Sequence, residues 1–135
     1  MTNLVIQKNN YDCVLASIAM AVGKSYEEAW TDADVAEVVK SGGVSDYVPW
    51  MEKQGLKEEK DFWIIIRSIT EQDMTKVMLK WRPAILSVAS LNHDHGWHAV
   101  YWDGERMYDP SNKKRYEFLS SVYLRRVILL RPNLH

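Results

Sequence analysis

A single cysteine, Cys13, stands between Asp12 and the apolar stretch Val14 to Val22 in a chain of 135 residues. One cysteine excludes an intramolecular disulfide, so this thiol either packs or reacts. Alone it reads as packing, because free cysteine is among the most often buried residue types. Three other residues change that reading: Gln7, a few residues upstream, and His98 and Asp109 far downstream. Thiol catalysis needs a thiolate, an imidazole within hydrogen-bond reach and a third group that orients the ring. Cys13, His98 and Asp109 supply these. Attack on an amide also needs donors for the oxyanion, and the Gln7 side-chain amide with the backbone N–H of Cys13 meets that need.

Such a set works only if the fold brings it together. Asp12 is suited to be an N-cap, so a helix is expected to start at Cys13, with Gly23 ending it as a C′ residue. Its residues are apolar nearly all round, which predicts a central, buried helix. At the first turn of such a helix, peptide dipoles and unpaired N–H groups favour a thiolate. Asp103-Gly104, between two β-rich runs, predicts a two-residue hairpin turn in which Trp102 opposes Glu105 and, by counting outward, His98 opposes Asp109. Opposed residues hold their Cβ atoms about 4.5–5.5 Å apart, close enough for a carboxylate to accept from an imidazole. His98 then shares a face with Val100 and Met107, expected to look toward the helix of Cys13.

Ser25-Tyr26-Glu27-Glu28 fits a capping box, and short helical patterns follow at Asp34 to Lys40 and Asp46 to Gln54. Phe62 to Ile66 is strand-like, and Thr70 to Lys80 reads as an amphipathic helix with Thr70 and Asp73 as a cap pair. Further strands are expected at Ala84 to Ala89, Trp97 to Trp102, Glu105 to Tyr108 and Val122 to Leu130, the last with its alternation broken by Arg125-Arg126. Helices first and a mostly antiparallel sheet second make an α+β fold, and the length points to one domain over residues 1–135.

Composition narrows the function classes. Hydrophobic residues at 47% and charged residues at 26% are ordinary globular values. A net charge of −1 provides no global basic field for a phosphate backbone, so no nucleic-acid partner is expected. No apolar run has the length of a membrane span, and Met1 to Cys13 lacks the order of a signal peptide; the expected compartment is the cytoplasm, without a membrane partner. His93, Asp94, His95 and His98 lie close enough in sequence to suggest a metal, but no thiol or second cluster accompanies them. The preferred reading has neither metal nor cofactor and puts His95 and Trp97 at the rim of a substrate cleft. Lys113-Lys114-Arg115 and Arg125-Arg126 read as solvated surface charge, an acidic partner being the alternative.

The stretch Gln7-Lys8-Asn9-Asn10-Tyr11-Asp12-Cys13-Val14-Leu15-Ala16, followed by His98-Ala99-Val100 and Tyr108-Asp109-Pro110, resembles the papain-like peptidases that process bacteriocins at double-glycine leader peptides. The resemblance implies a papain-like fold, a bacterial or phage setting and a peptide or protein substrate. It also implies Cys13 as nucleophile, His98 as acid and base, Asp109 as its orienting partner and Gln7 at the oxyanion hole. Val14 stands where the family usually has glycine and adds a side chain near the cleft. The expected activity is hydrolysis of an amide or peptide bond. The alternatives are thiol acyl transfer or deamidation by the same groups, and a catalytically silent domain that binds a peptide or protein in its cleft.

Overall fold

Helix α1 (Cys13–Val22) starts at the cysteine and buries Val14 to Met20 in the computed structural model, which describes residues 4–8, 12–31, 53, 56–66, 68–89, 97–111 and 119–132. Gly23 ends α1 in the left-handed region at φ 77°. There its N–H donates to Met20 O and that of Lys24 to Ala19 O, at 3.3 and 2.9 Å, which satisfies carbonyls the helix leaves open. Helix α2 (Tyr26–Thr31) opens with the expected capping box: the Ser25 N–H donates to Glu28 Oε1 and the Glu28 N–H to Ser25 Oγ, both at 3.1 Å. The patterns at 34–40 and 46–54 lie outside the described residues, apart from Lys53, which is helical.

Strands β1 (Leu56–Ile65), β2 (Ala84–Ala89), β3 (Trp97–Trp102), β4 (Met107–Tyr108) and β5 (Leu124–Pro132) form a five-stranded sheet in the order β1-β5-β2-β3-β4. Every pairing is antiparallel. The fold is therefore α+β. β1 begins well before the apolar run at Phe62, in the charged stretch Lys57-Glu58-Glu59-Lys60-Asp61.

Helix α3 (Ile69–Met78) lies between β1 and β2 in sequence. Its cap is Ser68, whose Oγ accepts from the Glu71 N–H at 3.1 Å, and not the expected Thr70–Asp73 pair. Ser68-Ile69-Thr70-Glu71 carries a capping-box signature two residues earlier, where the backbone is still extended. α3 docks through polar groups. The Gln72 side-chain amide accepts from the Leu124 N–H at 2.9 Å and donates to the Leu124 carbonyl, while Lys76 Nζ donates to Val122 O at 2.7 Å.

The helices do not form one segregated layer. Ile85, Ala99, Tyr101 and Ile128 pack with α1 on one face of the sheet. Leu86, Val100, Trp102, Met107 and Val127 pack on the other, with Leu79 at the end of α3. The expectation that Val100 and Met107 face α1 is thus corrected: both faces are covered, so an apolar face alone does not reveal which helix meets it.

The hairpin register also differs from expectation. Tyr101 pairs with Tyr108 and Trp102 with Met107, which leaves residues 103–106 in the loop. Asp103 Oδ1 accepts from the N–H groups of Glu105 and Arg106, at 2.8 and 2.7 Å. The Trp81 N–H donates to Gly104 O at 2.8 Å. These bonds stabilise a wider turn than the two-residue form. Because the register moves by two, each β4 residue keeps its expected face.

Candidate active site

Cys13 is the first residue of α1 and is half-buried. Asp12 occupies the N-cap through its backbone, since the Ala16 N–H donates to Asp12 O at 3.0 Å, but its side chain makes no cap bond. The fully buried carboxylate instead accepts from the Lys8 N–H at 3.0 Å and from the Tyr26 hydroxyl at 2.7 Å. The expected side-chain cap is corrected: Asp12 ties the Gln7-Lys8 segment to α2 and does not take up the first-turn N–H groups of the helix that carries the thiol.

His98 Nε2 lies 2.7 Å from Asp109 Oδ1, and both residues are buried at 8% exposure. The aspartate is itself held in place. The Ser111 N–H donates to Oδ1 at 2.9 Å and the Ser111 hydroxyl to Oδ2 at 2.6 Å. Asp109 thus caps its own Asp-Pro-Ser turn and orients the imidazole at once, two roles that compete when the sequence is read alone. Burial opposes a charged carboxylate, but the hydrogen bonds from His98 and Ser111 outweigh it and hold Asp109 below the usual range.

Burial likewise opposes an imidazolium at His98. Hydrogen bonding to Asp109 and to Cys13, with the charge attraction of both, overcomes it and raises the His98 pKa to about 9. With Nε2 committed to Asp109, Nδ1 is the ring nitrogen left for the thiol. His98 is the second residue of β3, beyond the two pairs that join β3 to β4, and lines one cavity with Cys13. The opposition of His98 and Asp109 across a ladder is corrected accordingly: the ladder stops at Tyr108, and Asp109 reaches the ring from the turn that follows.

Gln7 lies on the same turn through its backbone, its N–H donating to Pro110 O at 2.8 Å. It is not among the described residues that line the cavity at Cys13. That cavity is ≈ 220 Å³ in volume, and Cys13, His98 and Trp97 share its wall. Val14 also borders it while lying 8% exposed in the core around α1. Trp97 is 40% exposed and carries the Arg125 guanidinium over its ring at 4.9 Å, consistent with a place at a rim. His95, the other expected rim residue, lies outside the described residues, as do His93 and Asp94. Among the described residues no three His, Cys, Asp or Glu side chains converge as metal ligands would. A larger hollow of ≈ 980 Å³ lies toward the far end of α1, lined by Met20, Gly23, Glu27 and Tyr101 among others, away from the thiol.

Two features escaped the sequence reading. One is Ser111, whose signal is the hydroxyl two positions after an aspartate in a turn. The other is Arg125-Arg126, which borders the Cys13 cavity. Broken alternation in a strand is a bulge signal as well as a surface signal. The Lys113-Lys114-Arg115 triplet lies outside the described residues. No helix among the described residues is long and apolar enough to cross a membrane. No family model, curated protein or solved structure matches this chain.

Proposed function

We propose that this chain is a thiol-dependent amide hydrolase, a cysteine peptidase of papain-like architecture. The observation that carries the reading is the convergence of three groups. Cys13 at the head of a buried helix shares a cavity with His98, whose far nitrogen is held at 2.7 Å by a buried aspartate. A nucleophile, an acid–base group and an orienting carboxylate are the minimum set for acyl transfer through sulfur. The resemblance of the Gln7 to Ala16 stretch and of the His98 and Asp109 motifs to double-glycine leader peptidases supports the same assignment.

In this mechanism His98 holds its proton at neutral pH and faces the Cys13 thiolate as an imidazolium. The sulfur attacks the carbonyl carbon, and the carbonyl electron pair moves to oxygen. The Cys13 N–H and the Gln7 amide are assigned to that oxyanion. Collapse breaks the C–N bond, and His98 gives its proton to the departing amine. Water then loses a proton to His98 as its oxygen attacks the thioester; the acid leaves, sulfur departs as thiolate and the imidazolium is restored. Asp109 stays ionised throughout, holding the ring and stabilising its charge.

The test is incubation with a mixed peptide library, read by mass spectrometry for new termini and for an acyl adduct on Cys13. Cleavage is expected from the wild-type chain and from neither Cys13→Ala nor His98→Ala. Cleavage that persists in Cys13→Ala overturns the proposal.

A further inference from the structure

Residues 4–8 belong to no helix or strand, so Gln7 is held by individual hydrogen bonds. Both peptide groups that flank its Cα are tied. The Gln7 N–H donates to Pro110 O at 2.8 Å, and the next N–H, that of Lys8, donates to Asp12 Oδ2 at 3.0 Å. Pro110 follows the aspartate that holds His98, and Asp12 precedes the nucleophile. The backbone at Gln7 is thus referenced to the turn of Asp109 on one side and to the head of α1 on the other.

The second tie depends on where the Asp12 carboxylate points. An aspartate before a helix ordinarily turns to the N–H groups of the first turn, and this one makes no such bond. Its Oδ2 takes a second donor instead, the Tyr26 hydroxyl at 2.7 Å. Tyr26 opens α2, is buried at 8% exposure, and stacks on Trp30 with ring centroids 6.0 Å apart. Lys8 reaches the same helix through its side chain: Nζ lies 3.0 Å from Glu27 Oε1 and 4.7 Å from the centroid of the Tyr26 ring. A buried carboxylate is costly unless its oxygens meet donors, and these donors come from the segment of Gln7 and from α2. Tyr26 is not among the described residues that line the cavity at Cys13, so its route to the chemistry runs through Asp12.

We propose that Tyr26 is a positioning residue for acyl transfer: by directing Asp12 Oδ2 at the Lys8 N–H, it fixes Gln7, the oxyanion donor, relative to the Cys13 thiol. The assignment rests on the hydrolase reading, in which the Gln7 amide serves the oxyanion, and goes beyond it by naming what sets that amide. An oxyanion donor is effective only when it is in place before the charge develops, and a displacement of about 1 Å costs about 10²-fold in rate. In Tyr26→Phe the carboxylate loses the donor that opposes the pull of the first-turn N–H groups of α1, and the tie to Lys8 loosens.

Because the chain has one cysteine, two reactions of that thiol separate this role from a general loss of structure. Iodoacetamide forms a C–S bond as iodide leaves, and no oxyanion arises. p-Nitrophenyl acetate is attacked at its carbonyl, passes through an oxyanion and loses p-nitrophenolate, leaving an acetyl thioester. The two rates, each with the Cys13→Ala background subtracted, give an acylation-to-alkylation ratio that is compared with the same ratio on glutathione. The wild-type ratio should exceed that of glutathione, and Gln7→Ala should lower it roughly tenfold or more. Tyr26→Phe should lower it about five- to tenfold while alkylation changes by less than about twofold. In the Gln7→Ala background Tyr26→Phe should leave the ratio where it is, since the donor that it positions is gone. Asp12→Asn, which keeps the shape of the side chain and one neutral acceptor, should lower the ratio in the same direction; it carries the test if circular dichroism shows Tyr26→Phe unfolded. A ratio unchanged in the variants that fold, an equal fall in alkylation, or a fall that persists undiminished in the Gln7→Ala background overturns the positioning role and leaves the hydrolase reading standing. A wild-type ratio no higher than that of glutathione overturns both.

Discussion

Replacing Asp109 with Asn keeps the shape of the side chain that holds His98 and removes its charge. In the wild-type fold burial disfavours the imidazolium, yet the aspartate and the thiol together raise the His98 pKa from 6.5 to about 9. At about 1.4 kcal/mol for each tenfold change in proton affinity, that rise corresponds to roughly 3 kcal/mol of folding free energy. Its sign follows from which form the fold prefers. The protonated ring is favoured, so the contribution is complete below about pH 6.5, where the unfolded histidine is also protonated, and is lost as pH climbs through about 9. Asp109, held low, contributes in the opposite sense: its share is present above the ordinary 3.8 and disappears as pH falls through the folded value. Urea unfolding followed by tryptophan fluorescence should therefore show stability falling between about pH 6.5 and 9 in the wild-type chain. In Asp109→Asn that decline should shrink, because burial is then opposed by Cys13 alone. A Cys13→Ser background removes the share of the His98 shift due to Cys13 and isolates the share due to the aspartate. The His98 ring itself, followed by NMR, should titrate near 9 in wild type, and at or below 6.5 when Asp109→Asn is combined with Cys13→Ser. A wild-type ring that titrates at 6.5, or a pH dependence of stability that Asp109→Asn leaves unchanged in the Cys13→Ser background, refutes the coupling on which the mechanism depends.

Tyr26→Phe takes one of the two named donors from the fully buried Asp12 carboxylate and should lower stability by about 1.5–3 kcal/mol at neutral pH, measured as the urea midpoint. Gln72→Leu removes the amide that bonds both the N–H and the carbonyl of Leu124. Leaving those buried groups unpaired should lower stability by roughly 2–4 kcal/mol and speed hydrogen exchange at the Leu124 amide. Gly104→Ala forces a side chain into φ +104°, with its Cβ 3.1 Å from the Trp81 backbone carbonyl carbon, whereas at Gly23 a Cβ meets nothing within 4 Å. The first substitution should therefore lower the melting temperature clearly more than Gly23→Ala, which incurs only the left-handed penalty of about 1–2 kcal/mol; equal effects would show that the contact with Trp81 does not constrain the turn.

Local signals in the chain were enough to place many of its elements. Asp12-Cys13 before an apolar run and Gly23 after it delimit α1 without reference to anything distant, because a helix terminus is a matter of which nearby groups satisfy its open N–H and carbonyl groups. The Ser25–Glu28 box and the bounds of β2 and β3 are legible for the same reason. The pairing of His98 with Asp109 was also legible, although through a hairpin count that the wider turn corrects; a displacement of two residues preserves the face. What only tertiary structure decided are choices between equally available partners. The Asp12 carboxylate could take the helix N–H groups or the Tyr26 hydroxyl, and the packing of α2 on α1 decided for the hydroxyl. Val100 could face either helical layer, since both faces of the sheet are apolar and covered. Arg125 and Arg126 read as an exposed pair, yet the register shift of β5 against β2 leaves Arg125 exposed and Arg126 half-buried, with both bordering the cavity at Cys13. Sequence records which groups need a partner, while the choice among partners far apart in the chain depends on which contacts the folded core permits at the same time.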